Sequence, residues 1–372
     1  MDGVKVWEWI RRRRMLSPAL AVGVLALLPV VPGLGTQGNI YWLSGALILG
    51  GLAIGFDYSA GYMGLVNFGY AGFSGAGAYV SGLLTTRLGV SQPFAIVVGA
   101  AGGAVVGLAI GLLAVRFRGI YVSLVAWFVS LGLETIASNL NGLTGGVVGL
   151  SVPLLSGASG SAGQYWTILA IVGAVLLLLR FSVSGRSGLM FRAIGDNVNA
   201  ARSSGVSPLR YQVMNVVVSG AVAGLFGALY GFYYAVVTPG LLDVNFMIPV
   251  LMVVVIAGSG GLVASLLVAV PFGVLIQQFG NTANSLPGLG LVIFAALLLA
   301  IVVWYPSGVR GALGAGWRLL RARWRPDRAG APEARPALGD LGADRSADRV
   351  EDGAAGTAVG VPAVGASTRK GH

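Results

Sequence analysis

Residues 93–115 read PFAIVVGAAGGAVVGLAIGLLAV, a stretch without a single charged side chain. A membrane-spanning helix needs about 20 consecutive, mainly apolar residues, so this stretch predicts one. Similar segments fill most of the chain between residues 16 and 305. They predict about ten membrane helices, at residues 16–34, 40–58, 63–85, 93–115, 120–139, 164–180, 211–237, 244–260, 262–280 and 287–305. Glycine and proline interrupt 63–85 and 244–280, where a broken or re-entrant helix is the alternative.

The composition excludes most other classes of protein. Of the 372 residues, 56% are hydrophobic and 10% are charged, whereas soluble domains carry about 25% charged residues. The chain is therefore predicted to be an all-α polytopic membrane protein, embedded in a lipid bilayer. It contains no cysteine, and its one histidine is the last residue, His372. Disulfide, zinc, haem and iron–sulfur chemistry are excluded on these grounds, and we expect this chain to bind no metal or cofactor.

The basic residues lie on one side of the predicted spans. If the N-terminus is cytoplasmic, only Arg87 falls in an outer loop. The stretches that then lie inside are Arg11 to Arg14, Arg116 with Arg118, the loop from Arg180 to Arg210, and everything after Arg310. Cytoplasmic loops of membrane proteins are rich in lysine and arginine, so both termini are predicted to be cytoplasmic. Topology thus explains the net charge of +11, and no nucleic-acid partner is expected.

The chain divides into four parts. Residues 1–15 form a basic cytoplasmic N-terminus, for which a cleaved signal peptide is the alternative, although no clear cleavage site follows. Residues 16–305 form the transmembrane domain, with a cytoplasmic loop at 181–210. Residues 306–325 combine apolar and basic side chains as a helix on the inner membrane surface does. Residues 326–372 lack an apolar period and are predicted to be disordered.

No catalytic motif stands out. A nucleotide-binding P-loop requires a lysine directly after a glycine, but neither Lys5 nor Lys370, the two lysines, follows one. The acidic residues of the apolar region form no close pair in sequence. We therefore predict that the chain is not an enzyme.

Two acidic residues lie within predicted spans. Glu134 lies about 21 Å along its helix, past the midplane toward the outer side, where a carboxylate costs about 2–3 kcal/mol or more. It is predicted to line a pathway; the alternative is a hydrogen bond to a neighbouring helix or to Asn139 that only holds the bundle together. Asp57 lies near the inner end of its helix, from where its side chain is expected to reach water.

Glycine is unusually frequent, with 60 residues. Small residues at helical spacing let membrane helices approach closely. Two such faces are predicted to pack against neighbouring helices: Gly103, Gly107 and Gly111, and Gly220, Gly224, Gly227 and Gly231. Residues Gly61–Tyr79, GYMGLVNFGYAGFSGAGAY, make a poor lipid-facing helix and are predicted to line a cavity. Tight packing without substrate contact is the alternative.

The loop between Arg180 and Arg210 reads RFSVSGRSGLMFRAIGDNVNAARSSGVSPLR. It predicts two short helices, the second capped by Asp196 or Asn197 and ended by a left-handed turn at Gly205. Apolar residues such as Leu189, Ile194, Val198 and Ala201 indicate a docking surface for a cytoplasmic partner. The alternative is a re-entrant elbow packed on the chain's own helices.

Over about residues 40–305 the sequence resembles the permease subunits of ABC importers for branched-chain amino acids. Residues Gly61–Tyr79 resemble the signature GYxGxxSxGxxAFxGxGAY of that family. Four more stretches resemble family motifs: FRGIY at Phe117–Tyr121, LTGGVVGL at Leu143–Leu150, GRSGLMFRAIGDNVNAARSSGV at Gly185–Val206 and AGLFGALYGFYYAVVTP at Ala223–Pro239. Ala200, Ala201 and Gly205 match the Ala-Ala-x-x-x-Gly of the importers' coupling motif, in which Asn199 stands where glutamate is frequent.

The resemblance implies an ABC-importer permease bundle in the cytoplasmic membrane that works by alternating access. It implies two ATP-binding subunits, which use the ATP, a second homologous permease, and an extracytoplasmic solute-binding protein. The candidate pathway residues are Asn67, Tyr70, Glu134, Thr144, Gly145 and Gly146. The candidate ATPase-coupling residues are Arg192, Ala193, Ile194, Gly195, Ala200, Ala201 and Gly205.

The sequence also departs from the family pattern. Leu65, Asn67 and Tyr70 replace the glutamine, serine and histidine expected in the glycine-rich signature. The substrate is therefore expected to be a branched-chain amino acid or a related small polar solute, such as urea or a short amide. An ion- or proton-coupled secondary transporter that uses Glu134 and Asp57 is the alternative function, and a membrane enzyme or assembly scaffold is a more remote one.

Overall fold

The computed structural model describes residues 18–30, 36–113, 120–155 and 161–282. Within these residues the chain forms twelve α-helices, three short 3-10 helices and two strands of two residues each. The α-helices are α1 (Pro18–Leu27), α2 (Gln37–Met63), α3 (Tyr70–Leu88), α4 (Gln92–Leu113), α5 (Ile120–Asn139), α6 (Asn141–Thr144), α7 (Ser161–Ser184), α8 (Arg186–Asp196), α9 (Val198–Ser203), α10 (Pro208–Tyr234), α11 (Val244–Ala257) and α12 (Leu262–Thr282). The 3-10 helices are Leu28–Val30, Gly146–Val148 and Pro239–Leu242.

The predicted all-α membrane fold is confirmed. Five helices, α2, α4, α5, α7 and α10, are long and apolar enough to cross a membrane, and α1, α11 and α12 contain shorter apolar segments. Nine of the predicted spans each coincide with one helix. The tenth, 287–305, lies outside the described residues, as do the predicted N-terminus 1–15, the basic segment 306–325 and the tail 326–372.

The interruption predicted within 63–85 is a break between two helices. Helix α2 continues past Asp57 to Met63, where Gly64 adopts a left-handed φ of 70° and ends it. The chain then turns through residues 65–69, where the Asn67 Oδ1 atom accepts a hydrogen bond of 2.9 Å from the Gly69 N–H. Helix α3 begins only at Tyr70. The prediction that a helix starts at residue 63 was therefore wrong. Asp57, although polar, is buried inside the bundle and does not end α2, so α2 occupies the residues up to Met63.

The second interruption separates α11 from α12. Helix α11 has 14 residues and is therefore about 21 Å long, less than the roughly 30 Å of a hydrocarbon core. Gly258 and Gly260, with φ of 85° and 81°, make the turn that leads into α12. The predicted separation at residue 261 is confirmed, and α11 is a partial-length helix.

Glycine faces hold α3, α4 and α10 together, as predicted. A Cβ atom on Gly103 would collide with the Gly220 carbonyl oxygen and lie 2.8 Å from the Gly224 Cα. A Cβ on Gly77 of α3 would also collide with the Gly224 backbone. The three helices therefore touch through their backbones.

Among the described residues, a small antiparallel strand pair departs from the all-helical fold that the sequence predicted. Strand β1 (Leu150–Ser151) pairs with β2 (Val236–Val237), so that Leu150 faces Val237. Gly145, Gly146 and Gly149 have φ of 77°, 59° and 87°. These left-handed turns redirect the chain after α6 toward the residues that follow α10.

Candidate substrate pathway and coupling surface

The predicted coupling loop folds as two short helices. The Asn197 Oδ1 atom accepts hydrogen bonds of 3.0 Å from the backbone N–H groups of Asn199 and Ala200, so Asn197 caps α9. The Val206 N–H donates to the Ala201 carbonyl oxygen at 3.1 Å, and Gly205 has a φ of 80°. This combination is a Schellman-type helix end. Both the predicted cap and the predicted left-handed turn are confirmed.

The apolar residues of this loop divide between two surroundings. Ile194 and Ala201 are buried against the chain's own helices, with Ala201 only 5% exposed. In contrast, Leu189 is 64% exposed and Val198 is 39% exposed. The loop is thus partly packed on the chain's own helices and partly exposed. We call the exposed part, which includes Leu189 and Val198, the α8–α9 surface. The other candidate coupling residues, Arg192, Ala193, Gly195, Ala200 and Gly205, are exposed.

Helix α8 rests on the C-terminal end of α2. The Arg192 guanidinium lies 5.3 Å from the centre of the Tyr62 ring, a cation–π contact. The Gly195 Cα approaches so closely that a Cβ there would lie 3.2 Å from the Met63 carbonyl carbon. A cleft of about 450 Å³ opens between α8 and the α11–α12 turn, with the end of α2 as its floor.

Asn67 and Tyr70 lie where residues 64–70 pack against the beginning of α5. Tyr70 is fully buried, and its hydroxyl group donates a hydrogen bond of 2.8 Å to the Leu52 carbonyl oxygen. Asn67 is buried and binds the Gly69 N–H, as described above. Gly69 itself abuts the Ala126 backbone of α5. In this conformation the Asn67 Oδ1 atom and the Tyr70 hydroxyl group therefore both bind groups of this chain.

Glu134 lies farther along α5, a helix of which only a small part is buried among the described residues. One turn before it, the Ser130 hydroxyl donates a hydrogen bond of 2.6 Å to the Leu242 carbonyl oxygen. Glu134 is half-buried and interacts electrostatically with Asp243. Asp243 caps α11, since its Oδ1 atom accepts a hydrogen bond of 2.9 Å from the Asn245 N–H.

Sequence reasoning missed Asp243. The two carboxylates, which we call the Glu134–Asp243 pair, are far apart in the chain and come within electrostatic range only because residues 239–242 pack against α5. The signal that could have found Asp243 is an aspartate directly before the apolar run of α11, which is a helix-capping pattern.

Thr144, Gly145 and Gly146 form the turn at the end of α5. The buried Thr144 hydroxyl donates to the Ala137 carbonyl oxygen at 2.6 Å. A Cβ on Gly146 would collide with the Asn141 side chain. All six candidate pathway residues therefore lie along α5: Asn67 and Tyr70 near its start, Glu134 on it, and Thr144, Gly145 and Gly146 at its end. The structure does not bring the two ends together.

Asp57 does not reach water, and that expectation was wrong. The side chain is 0% exposed, and its Oδ1 atom accepts a hydrogen bond of 2.7 Å from the Gly260 N–H. The fold brings the α11–α12 turn directly against the C-terminal end of α2, so the carboxylate has a partner inside the protein.

The membrane-length helices and the exposed apolar surface of a helical loop are those of a membrane-embedded protein. The part of the chain that the structure describes holds no cluster of His, Cys, Asp or Glu fit to bind a metal ion. Residues 39–302 match the family described as "Branched-chain amino acid transport system / permease component", and the chain belongs to that family. The resemblance inferred from the motifs is thereby confirmed. Members of this family are transmembrane components of ABC transporters without an ATPase domain, which confirms that the chain is not itself an enzyme.

Three characterised relatives are informative. The high-affinity branched-chain amino acid transport system permease protein LivM of Escherichia coli K12 is 25% identical over 319 residues, which cover 77% of this chain and 73% of LivM. LivH of the same organism is 25% identical over 286 residues, covering 70% of this chain and 90% of LivH. The nucleoside ABC transporter permease NupB of Lactococcus lactis is 31% identical over 141 residues, 37% of this chain and 38% of NupB. No solved structure matches the chain.

Proposed function

We propose that this ABC permease imports branched-chain amino acids, or a related small polar solute, by alternating access. The observation that carries the proposal is the α8–α9 surface. It is a pair of short helices, the second capped by Asn197, that rests on the end of α2 yet leaves Leu189 and Val198 exposed. Exposed apolar patches of this kind mark protein–protein contact sites. The partner of this surface would be an ATP-binding subunit. The complete transporter would contain two such subunits, a second homologous permease and an extracytoplasmic solute-binding protein.

The similarity to LivM and LivH covers most of the chain, which supports branched-chain amino acids over nucleosides. The replacements at Asn67 and Tyr70 weigh less against this substrate than the sequence suggested. Both side chains make hydrogen bonds within the chain, so a change of residue type there need not alter a contact to the solute. Family membership favours this importer over the ion-coupled carrier.

Purification of the tagged chain from its native membrane tests the proposal. We expect an ATPase, a second permease and a solute-binding protein to accompany it. Proteoliposomes made with these subunits should take up L-leucine with ATP, and should take up uridine and urea poorly. Uptake by the chain alone, driven by a proton or sodium gradient, would contradict the assignment.

The charge distribution supports an orientation with the α8–α9 surface and both termini in the cytoplasm. The chain has no cysteine, so single cysteines report orientation cleanly. We expect Ser91→Cys, in the exposed α3–α4 turn, to react with a membrane-impermeant maleimide in intact cells. Ser203→Cys, on the exposed part of α9, should react only after solubilisation. Labelling of Ser203→Cys in intact cells would reverse the orientation.

Glu134 is proposed to face the pathway between this chain and the second permease. A carboxylate on a membrane helix cannot face lipid without a cost of about 2–3 kcal/mol or more, so a polar or protein surface must cover it. Glu134→Gln keeps the shape of the side chain and deletes its charge. We expect L-leucine uptake to fall about tenfold, equivalent to about 1.4 kcal/mol, with normal protein level and normal ATPase association.

Thr135→Ala is the matched control for Glu134→Gln. The Thr135 hydroxyl donates to the Leu131 carbonyl oxygen within α5, so its loss should leave uptake unchanged. If Glu134→Gln also transports normally, the charge has no role in the pathway.

A further inference from the structure

Asp57 is a buried carboxylate that none of the roles above employs. It lies in the membrane helix α2, where an ionisable side chain is costly and usually functional. Its Oδ1 atom joins α2 to the Gly260 N–H across a gap of 203 residues in sequence. A hydrogen bond in a low-dielectric interior is electrostatically stronger than the same bond in water. The end of α2 and the α11–α12 turn are also closely packed, because a Cβ on Gly61 would collide with both Asp57 and Gly260.

The same end of α2 carries helix α8. Besides the Arg192–Tyr62 and Gly195–Met63 contacts, the Phe191 ring meets the Tyr58 ring edge-on with centroids 5.6 Å apart. Helix α8 and the α11–α12 turn face each other across the 450 Å³ cleft, and each is attached to α2. A displacement of α8 can therefore reach the turn through the end of α2, and the cleft leaves room for it.

Helix α11 extends this connection toward Glu134. It ends at Ala257, directly before the turn that holds Gly260, and it begins beside Asp243. At its beginning, the Ser130–Leu242 hydrogen bond ties residues 239–242 to α5. Helix α11 thus joins the Asp57 contact at one end to the Glu134–Asp243 pair at the other, about 21 Å away.

We propose that Asp57 is a positioning residue that transmits movement of the α8–α9 surface to α11, and through α11 to the Glu134–Asp243 pair. The inference rests on the proposed importer function. In this proposal, the Asp57–Gly260 hydrogen bond holds the end of α2 and the α11–α12 turn together while α8 moves. Without that bond, ATP hydrolysis continues but the pathway does not switch sides.

The test compares ATP hydrolysis with uptake in proteoliposomes that hold the complete transporter, with L-leucine as the probe. Asp57→Ala removes the acceptor atom. We expect the ATPase rate to stay within about twofold of wild type and uptake to fall about tenfold, within the 5- to 150-fold range of typical coupling energies. Asp57→Asn keeps an acceptor oxygen and should restore most of the uptake. Ser59→Ala, a buried neighbour on α2 whose hydroxyl binds the Leu65 carbonyl oxygen, should leave the ratio of ATP to solute unchanged.

A second variant acts on the donor side of the bond. Gly260→Ala strains a backbone with a φ of 81° and should uncouple the transporter in the same way. Because the two residues share one bond, the double variant Asp57→Ala/Gly260→Ala should be no worse than the poorer single variant. This variant also provides the test if Asp57→Ala does not insert.

Three results would overturn the inference. The first is a wild-type ratio of ATP hydrolysed to solute transported in Asp57→Ala. The others are a parallel fall of the ATPase rate and uptake in that variant, or additive effects in the double variant. Each of these leaves the importer function standing. That function fails separately, if the wild-type complex shows no ATP-dependent uptake.

Discussion

Leu189→Glu is expected to abolish uptake and to release the ATP-binding subunits from the permease. Leu189 is 64% exposed on α8, so the substitution disturbs no packing within the chain, and the protein should insert normally. At a protein interface, the loss of a buried leucine costs about 1.5–3 kcal/mol, and an unpaired buried carboxylate adds to that cost. We expect ATPase association to weaken at least about 100-fold, measured by co-purification and by titration of the ATPase onto reconstituted permease.

Leu88→Glu is the matched control for Leu189→Glu. It makes the same chemical change at a residue that is 70% exposed, at the end of α3 on the opposite predicted side of the membrane. This variant should keep its ATP-binding subunits. Ala201→Glu, although it lies in the coupling motif, is a poorer probe, because Ala201 is buried and a charge there would disturb the packing of α9. If Leu189→Glu retains both its ATPase and its uptake, the α8–α9 surface is not the docking site.

Gly103→Leu is expected to remove most of the folded protein from the membrane. The atoms that a side chain would meet at this position belong to the backbone of α10, so they cannot move aside as the end of a flexible side chain can. Overpacking of a close-packed interior costs about 1–3 kcal/mol and occasionally more, and here α4 and α10 must separate along their length. The membrane level should fall to about a tenth of wild type, because a loss of about 1–2 kcal/mol already changes cellular abundance several-fold. Size-exclusion chromatography of a fluorescent fusion measures this level.

Gly23→Leu controls for the size of the new side chain. Gly23 lies on the apolar helix α1, and a Cβ there would have no described atom within 4 Å. This variant should accumulate as the wild type does. Equal levels and equal thermal stability of Gly103→Leu and Gly23→Leu would show that backbone contact between α4 and α10 is dispensable.

The sequence predicted the features that depend on neighbouring residues. Apolar runs located the membrane helices, because the hydrocarbon core demands a fixed length of apolar chain. Asp196 or Asn197, together with Gly205, predicted both ends of α9, because helix caps depend on a few adjacent residues; the structure shows that Asn197 is the cap. The two glycine faces predicted close packing, since glycines at helical spacing lie on one side of a helix.

Contacts between distant segments could not be predicted in this way. Asp57 looked like a residue that reaches water, because sequence shows its depth along α2 but not the α11–α12 turn that covers it. Glu134 has no acidic residue near it in the sequence, because Asp243 comes close to it only when residues 239–242 pack against α5. The β1–β2 pair joins the segment after α6 to the residues after α10, and two-residue strands carry no periodic pattern.

The sequence by itself therefore determined the class of protein, the approximate positions of its membrane helices and the helical form of the loop between α7 and α10. Tertiary structure alone decided which side chains of that loop stay exposed, that Asp57 binds Gly260, and that Glu134 has an acidic neighbour. The physical reason is that hydrophobicity, helix propensity and capping act over a few residues along the chain, whereas burial and hydrogen-bond partners depend on which helices the folded bundle places side by side.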